Sequence, residues 1–362
     1  MEFAKEALTH FLKGENIEKI VPIGNGHISS TFMVKTPLKK YVLQKINTSV
    51  FPDVDILMSN IDKMTSHIKK AAEAGKDPSR ATLNFLTADN GKKYVLCNGG
   101  AYRIYDYIDN VFTLEKMEHP EHFYQSGRAF GEFAKFLTDF NASSLEETIK
   151  DFHNTPARFQ KFERAVSENK SGRVSFVCDE IEFVRERRDF MSLFTNKIAS
   201  GELPLRVTHN DTKLNNILFD EKTALPATVI DLDTVMPGSY LYDFGDAIRF
   251  GATHAAEDEK DLSLVDFDLD LYRHFAKGYI EEAGDYLAKE EINMLPYASI
   301  MLTLECGMRF LTDHIDGDTY FKISRDGHNL DRARTQFKLV VEMENNIERM
   351  KEIIESLTIN LR

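Results

Sequence analysis

RVTHNDTKLNNILFD (206–220) and ATVIDLD (227–233) are the two stretches that decide how this chain folds. Each pairs a short apolar run with a cluster of carboxylates and carboxamides. In the first, His209, Asp211 and Asn216 form a His-x-Asp-x-x-x-x-Asn pattern. In the second, Asp231 closes a strand-like run 15 residues after Asn216. The apolar flanks place the first cluster in a loop between two short strands. Aspartate and asparagine also bond their own backbone in ordinary loops. Three hard-oxygen side chains on adjacent strand ends have a chemistry in common as well.

That chemistry is phosphoryl transfer. The moving group carries negative charge that magnesium must bridge, and magnesium takes oxygen ligands. Asn216 and Asp231 supply such a pair. Asp211, five residues before Asn216 in the same loop, suits aiming an acceptor hydroxyl and receiving its proton. His209 is expected to tie the loop to the core, and Asp233 to serve as a loop or substrate-side carboxylate. Asp243-Phe244-Gly245 resembles a metal-binding triplet, but it lies 32 residues after Asp211, whereas Asp231 lies 20 after it. Asp243 is therefore expected to be structural, bonding the backbone of the 209–216 loop.

Outward from this centre the two sides of the chain differ. Towards the N-terminus, residues 3–14 read as a short amphipathic helix. Alternating runs follow at 17–23, 27–35 and 39–47, then helical spacing over 54–73, then strand patterns at 82–87, 93–98 and 101–108. Gly24-Asn25-Gly26, Asn90-Gly91 and Asn98-Gly99 punctuate them as turns. After Asp109 the periodicity is helical over 120–138, 144–165, 179–199 and 333–357. The pattern is α+β: a small antiparallel β unit with one inserted helix over 1–107, and a larger, mainly helical unit over 108–362. A length of 362 residues agrees with two lobes, and a crevice between lobes is a natural ligand site.

Gly24, Asn25 and Gly26 bring backbone amides where a phosphate can approach, and Ser29 and Thr31 add hydroxyl donors. The net charge is −13, which argues against nucleic acid and against an anionic membrane surface. Three dispersed cysteines give neither a disulfide framework nor a zinc site. No signal or transit pattern and no membrane-length apolar run is present, so a cytoplasmic setting is expected.

With these residues stand IGNGHISSTFMV (23–34), YVLQKINTSVFPDVDILM (41–58), IDLDTVMPGSYLYDFGDAIRFGA (230–252), EDEKDLS (257–263) and ECGMRFLTDHIDGDTYF (305–321). Together they resemble the aminoglycoside phosphotransferase/choline kinase family, and within it the members that act on N-acetylhexosamines. The resemblance implies a protein-kinase-like two-lobed fold. It implies transfer of the ATP γ-phosphate to the anomeric hydroxyl of a small-molecule sugar, with Asp211 as base and Asn216 and Asp231 on Mg2+. It points to a sugar pocket near His27, Arg249, Phe250, Arg309 and Tyr320, and to adenine at Tyr105–Ile108, with Asp106 and Tyr107 in contact. One departure stands out. The family pattern has a lysine where Tyr41-Val42-Leu43 is followed by Gln44, with Lys45 one residue later. Either the strand is regular and Gln44 replaces the lysine while Lys45 faces away, or a bulge turns Lys45 inward.

The nearest alternative is a kinase of this fold acting on choline, an aminoglycoside, homoserine or another sugar. A nucleotide-binding scaffold needs none of Asp211, Asn216 and Asp231. A magnesium-dependent hydrolase on Asp231 and Asp233 needs further ligands at metal spacing, and HExxH and HxxxH patterns are absent.

Overall fold

The computed structural model describes residues 2–23, 30–114, 116, 117, 119–359 and 361. Helix α1 (Glu2–Phe11) covers one face of a five-stranded antiparallel sheet: β1 (Lys19–Pro22), β2 (Ser30–Lys35), β3 (Lys40–Ile46), β4 (Val95–Cys97) and β5 (Gly100–Asp106), in the order β1-β2-β3-β5-β4. Helices α2 (Val54–Ala72) and α3 (Pro78–Ala81) are inserted between β3 and β4. Ala7, Leu8 and Leu12 pack with Val34, Tyr41, Leu43 and Ile104 on the α1 face. Val42, Ile46, Ala101 and Tyr105 turn the other way, into a core that continues through α2 into the helical part. The α1 face and the inner face thus follow the period-two alternation of the strands.

The larger part begins with β6 (Val111–Phe112), α4 (Pro120–Phe136), α5 (Thr155–Glu168), α6 (Cys178–Glu186) and α7 (Leu193–Ala199). Four short strands follow: β7 (Arg206–Thr208), β8 (Ile217–Asp220), β9 (Pro226–Val229) and β10 (Met236–Gly238). They form a β6-β8-β9 sheet and a β10-β7 pair. Helices α8 (Tyr240–Gly251), α9 (Leu269–Ala283), α10 (Lys289–Asp316), α11 (His328–Asn345) and α12 (Ile347–Thr358) complete the architecture. A small antiparallel sheet followed by a larger helical body is the α+β arrangement expected.

Four expected elements differ. Residues 82–87 form only a single bridge, Phe85 to Tyr105. β4 pairs with the start of β5, and 84–86 border the remaining end through Leu86 N–H to Ile104 O and Asp106 N–H to Asn84 O, both 3.0 Å. The helix expected from 144 starts at Thr155, where the Asn154 carboxamide accepts from the Ala157 amide at 3.2 Å. The 179–199 run divides into α6 and α7 around a 3-10 turn at Phe190–Ser192. The 333–357 run breaks at Asn346. Its side chain donates to Glu342 O at 2.8 Å, replacing the helical amide, which moves to Met343 O at 3.1 Å.

Glycine sets the closest helix crossing. A Cβ on Gly127 of α4 would lie 2.2 Å from Phe275 O, and one on Gly278 of α9 would lie 2.1 Å from Tyr124 O. The two backbones can touch only without side chains there. Gly127→Ala is expected to lower the unfolding free energy by about 1–3 kcal/mol. Gly75→Ala, where an added Cβ meets nothing within 4 Å, should leave it nearly unchanged; denaturant unfolding of both variants checks this.

Candidate active site

The 209–216 loop crosses the middle of the helical body, so its backbone amides need acceptors out of water. Helix α8 supplies them. Ser239 caps its first turn by accepting from the Leu241 amide at 3.3 Å. Asp243 and Asp246, three residues apart, then face the loop together. Asp243 accepts from the amides of His209 at 2.9 Å and Asn210 at 2.7 Å. Asp246 accepts from the Thr212 amide at 3.0 Å. The Thr212 hydroxyl donates to Asp243 O at 2.7 Å. Gly245 lets α8 sit against α10, because a Cβ there would fall 2.4 Å from Ala298 O. The Asp-Phe-Gly triplet is therefore a loop clamp and a helix contact.

Asn210 takes a left-handed backbone, φ 64°, a conformation asparagine tolerates. Its side chain donates to Thr234 O at 2.8 Å, and Thr234 returns a hydroxyl to His209 O at 2.6 Å. His209 donates from Nε2 to Ile230 O at 2.9 Å and packs edge-on against Phe130 and Phe133. These bonds lock the loop to the 230–234 turn, and His209 has the tying role expected of it.

The three central side chains are brought together. Asn216 donates from Nδ2 to Asp211 Oδ2 at 2.9 Å and to Asp211 O at 2.8 Å, which points its carboxamide oxygen away from Asp211. The Ile230 amide donates to Asn216 O at 2.8 Å, so Asp231 follows directly beside Asn216. Asp231 itself is left-handed, φ 61°, with part of the residue facing solvent. Partial burial, then the negative charges of Asp233 and Asp211, push its pKa up to about 7. Crowded carboxylates beside a carboxamide oxygen are a donor set that suits a hard divalent cation.

Lys213, not singled out from the sequence, places Nζ 2.7 Å from Asp211 Oδ1. Burial would lower its pKa, but Asp211 outweighs burial and holds it above the ordinary value. Its signal was a cation two residues after the loop aspartate. Burial likewise acts to raise Asp246, yet Arg249 and Lys213 keep it below the usual carboxylate range. Asp211, Lys213, Asp246, Arg249 and Glu257 thus alternate in sign across the loop and α8.

The remaining expected residues are dispersed. Gly24, Asn25, Gly26, His27 and Ser29 lie outside the described residues. Thr31 and Gln44 are cross-strand partners, with Gln44 Nε2 donating to Thr31 Oγ1 at 3.4 Å. The β2-β3-β5 register is unbroken, so Gln44 faces inward with Arg103 while Lys45 is exposed on the opposite face. The Asp106 side chain binds Lys39 at 2.7 Å and Asn84 at 2.6 Å. The Asp106 and Tyr107 amides go to Asn84 O and Lys40 O. Ile108's amide has no protein acceptor among the described residues. Arg249 is 7% exposed and holds Asp246 at 3.0 Å and Glu257 at 3.1 Å. Arg309 and the exposed Tyr320 line a cavity of about 190 Å3 with Arg158 and Phe321, and Arg249 and Phe250 do not border it. Between the two arginines lies Cys306, whose thiol burial pushes up to about 11 against the pull of Arg249 and Arg309. Of the two readings of Asp233 the loop one holds: it sits in the Leu232–Thr234 turn, is 4% exposed and pairs with Arg103 on β5.

Residues 19–279 match the model of the APH phosphotransferase enzyme family, and the chain belongs to that family. The fold is similar to that of a microcompartment-associated aminopropanol kinase, with a TM-score of 0.64 and 16% identity over 97% of this chain and 98% of that one. It is similar to a spectinomycin phosphotransferase solved with ADP and spectinomycin, with a TM-score of 0.57 and 12% identity over 95% and 98%. A Plasmodium vivax ethanolamine kinase matches with a TM-score of 0.53 and 15% identity over 88% and 81%. The fold is protein-kinase-like, and the chain is a phosphotransferase.

The raised pKa of Asp231 has a sign that can be tested. Below about pH 4 the group is protonated folded or unfolded, and no penalty arises. As pH rises towards 7 the unfolded chain ionises it more readily than the folded one does, so the native state loses stability. Asp231→Asn is therefore expected to raise the melting temperature at pH 8 in metal-free buffer, with the gain vanishing near pH 4. Calorimetric melts at the two pH values check this.

Proposed function

We propose that this phosphotransferase is an N-acetylhexosamine 1-kinase, moving the ATP γ-phosphate to the anomeric hydroxyl of N-acetylglucosamine or N-acetylgalactosamine. The observation that carries the substrate class is the charge of the acceptor region. Three cations, Arg158, Lys161 and Arg309, line the cavity against two carboxylates, Asp313 and Asp316; Asp313 is engaged, and Asp316 keeps a buried oxygen without a hydrogen bond. Asp313 accepts from the amides of Thr319, Tyr320 and Phe321 at 2.8–2.9 Å and from Asn329 at 2.9 Å. Glu305 is held by His153 at 2.8 Å and Thr155 at 2.6 Å. Asp246 and Glu257 belong to Arg249. An ammonium-bearing acceptor would meet three cations and the single open carboxylate of Asp316, whereas a neutral sugar is served by arginine and tyrosine donors and an aromatic rim. The resemblance of 257–263 and 305–321 to kinases of N-acetylhexosamines supports the same reading.

In this reading Asp211 orients the anomeric hydroxyl and takes its proton. Asn216 and Lys213 hold one oxygen each of that carboxylate, so its direction is fixed before substrate arrives. Asn216 Oδ1 and Asp231 would hold magnesium, which when bound neutralises phosphate charge. Lys213 adds a fixed positive charge beside the reacting hydroxyl. The Ile108 amide reads the adenine edge, and Gln44 and Thr31 lie along the path of the phosphates.

Incubation with ATP, magnesium and a panel of sugars, amino alcohols and aminoglycosides tests the assignment, with product phosphate position read by 31P NMR. A sugar 1-phosphate from N-acetylhexosamines is expected. Phosphorylation confined to amino alcohols would overturn the acceptor, and no ATP consumption with any alcohol would overturn the kinase. Asp211→Asn is expected to lower kcat by about 10²–10⁴-fold while nucleotide binding persists in calorimetry.

A further inference from the structure

The family's lysine is missing from β3, and its usual partner is missing too. Helix α2 carries two acids, and both turn outward: Asp55 to Lys92 at 2.8 Å and Asp62 to Lys93 at 2.6 Å. Its inward side presents Met58 and Asn60 instead. A buried cation nevertheless occupies this place, and it comes from the neighbouring strand. Arg103 on β5 is 2% exposed and stands directly across from Gln44 in the ladder.

Each part of its guanidinium has a partner. Nε donates to Gln44 Oε1 at 3.0 Å, one terminal nitrogen meets Met58 Sδ at 3.9 Å, and the other lies 2.5 Å from Asp233 Oδ1. The Phe85 ring lies under the guanidinium carbon at 5.5 Å. Gln44 passes the connection on to Thr31 of β2 at 3.4 Å. A chain of polar contacts, Thr31–Gln44–Arg103–Asp233, whose last link is an ion pair without a hydrogen bond, thus runs from the second strand to the turn that holds Asp231.

A buried ion pair contributes little stability that well-packed apolar side chains would not supply. What this one supplies is position. Asp233 is two residues from Asp231, inside the 3-10 turn Leu232–Thr234. Asp231 sits in a left-handed backbone among like charges, an arrangement that persists only when its surroundings enforce it. Asn60 adds a second bond to the same segment, donating to Val235 O at 3.1 Å.

We infer that Arg103 is a positioning residue that replaces the lysine–glutamate pair between β3 and α2, fixing through Asp233 the turn that presents Asp231 to the metal and tying that turn to β2 through Gln44. This rests on the reading of Asp231 as a magnesium ligand. The ion pair has moved off the helix and onto the metal-bearing turn. The sheet and the metal ligand are therefore coupled directly, and α2 takes part only through Met58 and Asn60.

The test uses Arg103→Met and the double variant Arg103→Met/Asp233→Leu. The double variant removes both charges, so it remains informative where the single variant leaves an unpaired carboxylate and fails to fold. Binding of Mn2+ together with a non-hydrolysable ATP analogue is measured by calorimetry, alongside amide hydrogen exchange over 230–235. Both quantities report on the turn without turnover. Affinity for the metal–nucleotide is expected to fall about 10-fold or more in each folded variant, with faster exchange at 231–235 and an unchanged affinity for metal-free nucleotide. Native metal–nucleotide affinity and native exchange in a folded variant would overturn the role of Arg103. Failure of the unaltered protein to bind Mn2+ with nucleotide would instead overturn the metal reading beneath it.

Discussion

The grip of two α8 carboxylates on the backbone of a buried loop is the interaction on which the site depends. His209, Asn210 and Thr212 of loop 209–216 are buried, and each of their amides left without an acceptor would cost about 1–3 kcal/mol. Asp243 and Asp246 take three of them. Burial pushes the Asp243 pKa up to about 6, and the amides and His209 counter it. Because the loop is held by its backbone, its side chains are released for other tasks. Asp211 and Asn216 bond each other and face the cleft, and the turn carrying Asp231 is bound to the loop by Thr234, His209 and Asn210.

The electrostatic order follows from that frame. Negative and positive groups alternate outward from Asp211 through Lys213, Asp246 and Arg249 to Glu257. Each charge stands next to an opposite one, which is the condition for keeping the buried members, Asp246 and Arg249, in a low-dielectric interior. Asp231 is the exception. It is crowded by Asp211 and Asp233 and raised towards neutrality. A carboxylate left in that state is one whose natural partner is a cation brought by the ligand.

Much of this was legible in the sequence because it was local. The His-x-Asp-x-x-x-x-Asn spacing and the downstream Asp231 have fixed relations along adjoining strands, so proximity in space followed from proximity in chain. The 32-residue offset marked Asp243 as structural, and it holds the loop amides of His209 and Asn210. Period-two alternation left Gln44 or, through a bulge, Lys45 to face inward, and the unbroken β2-β3-β5 register decided for Gln44. Elements failed where a local side-chain bond overrode periodicity, as when the Asn346 side chain took the carbonyl of Glu342 and broke a continuous apolar stripe into α11 and α12. Strand 82–87 failed because β4 had already taken half of the β5 edge.

What the sequence by itself determined is the α+β order and the pairing of one loop with one turn. Both depend on hydrophobic period and short separations. Only the tertiary structure decided which charges neutralise which. Arg103 and Asp233 are far apart in the chain and meet only when β5 lies over the turn that carries Asp231. The Asp246–Arg249 clamp is visible as a helical spacing, but its hold on the Thr212 amide is not. Burial decides the difference: a charge in the interior must find an opposite one, and no spacing rule names a partner delivered by the fold.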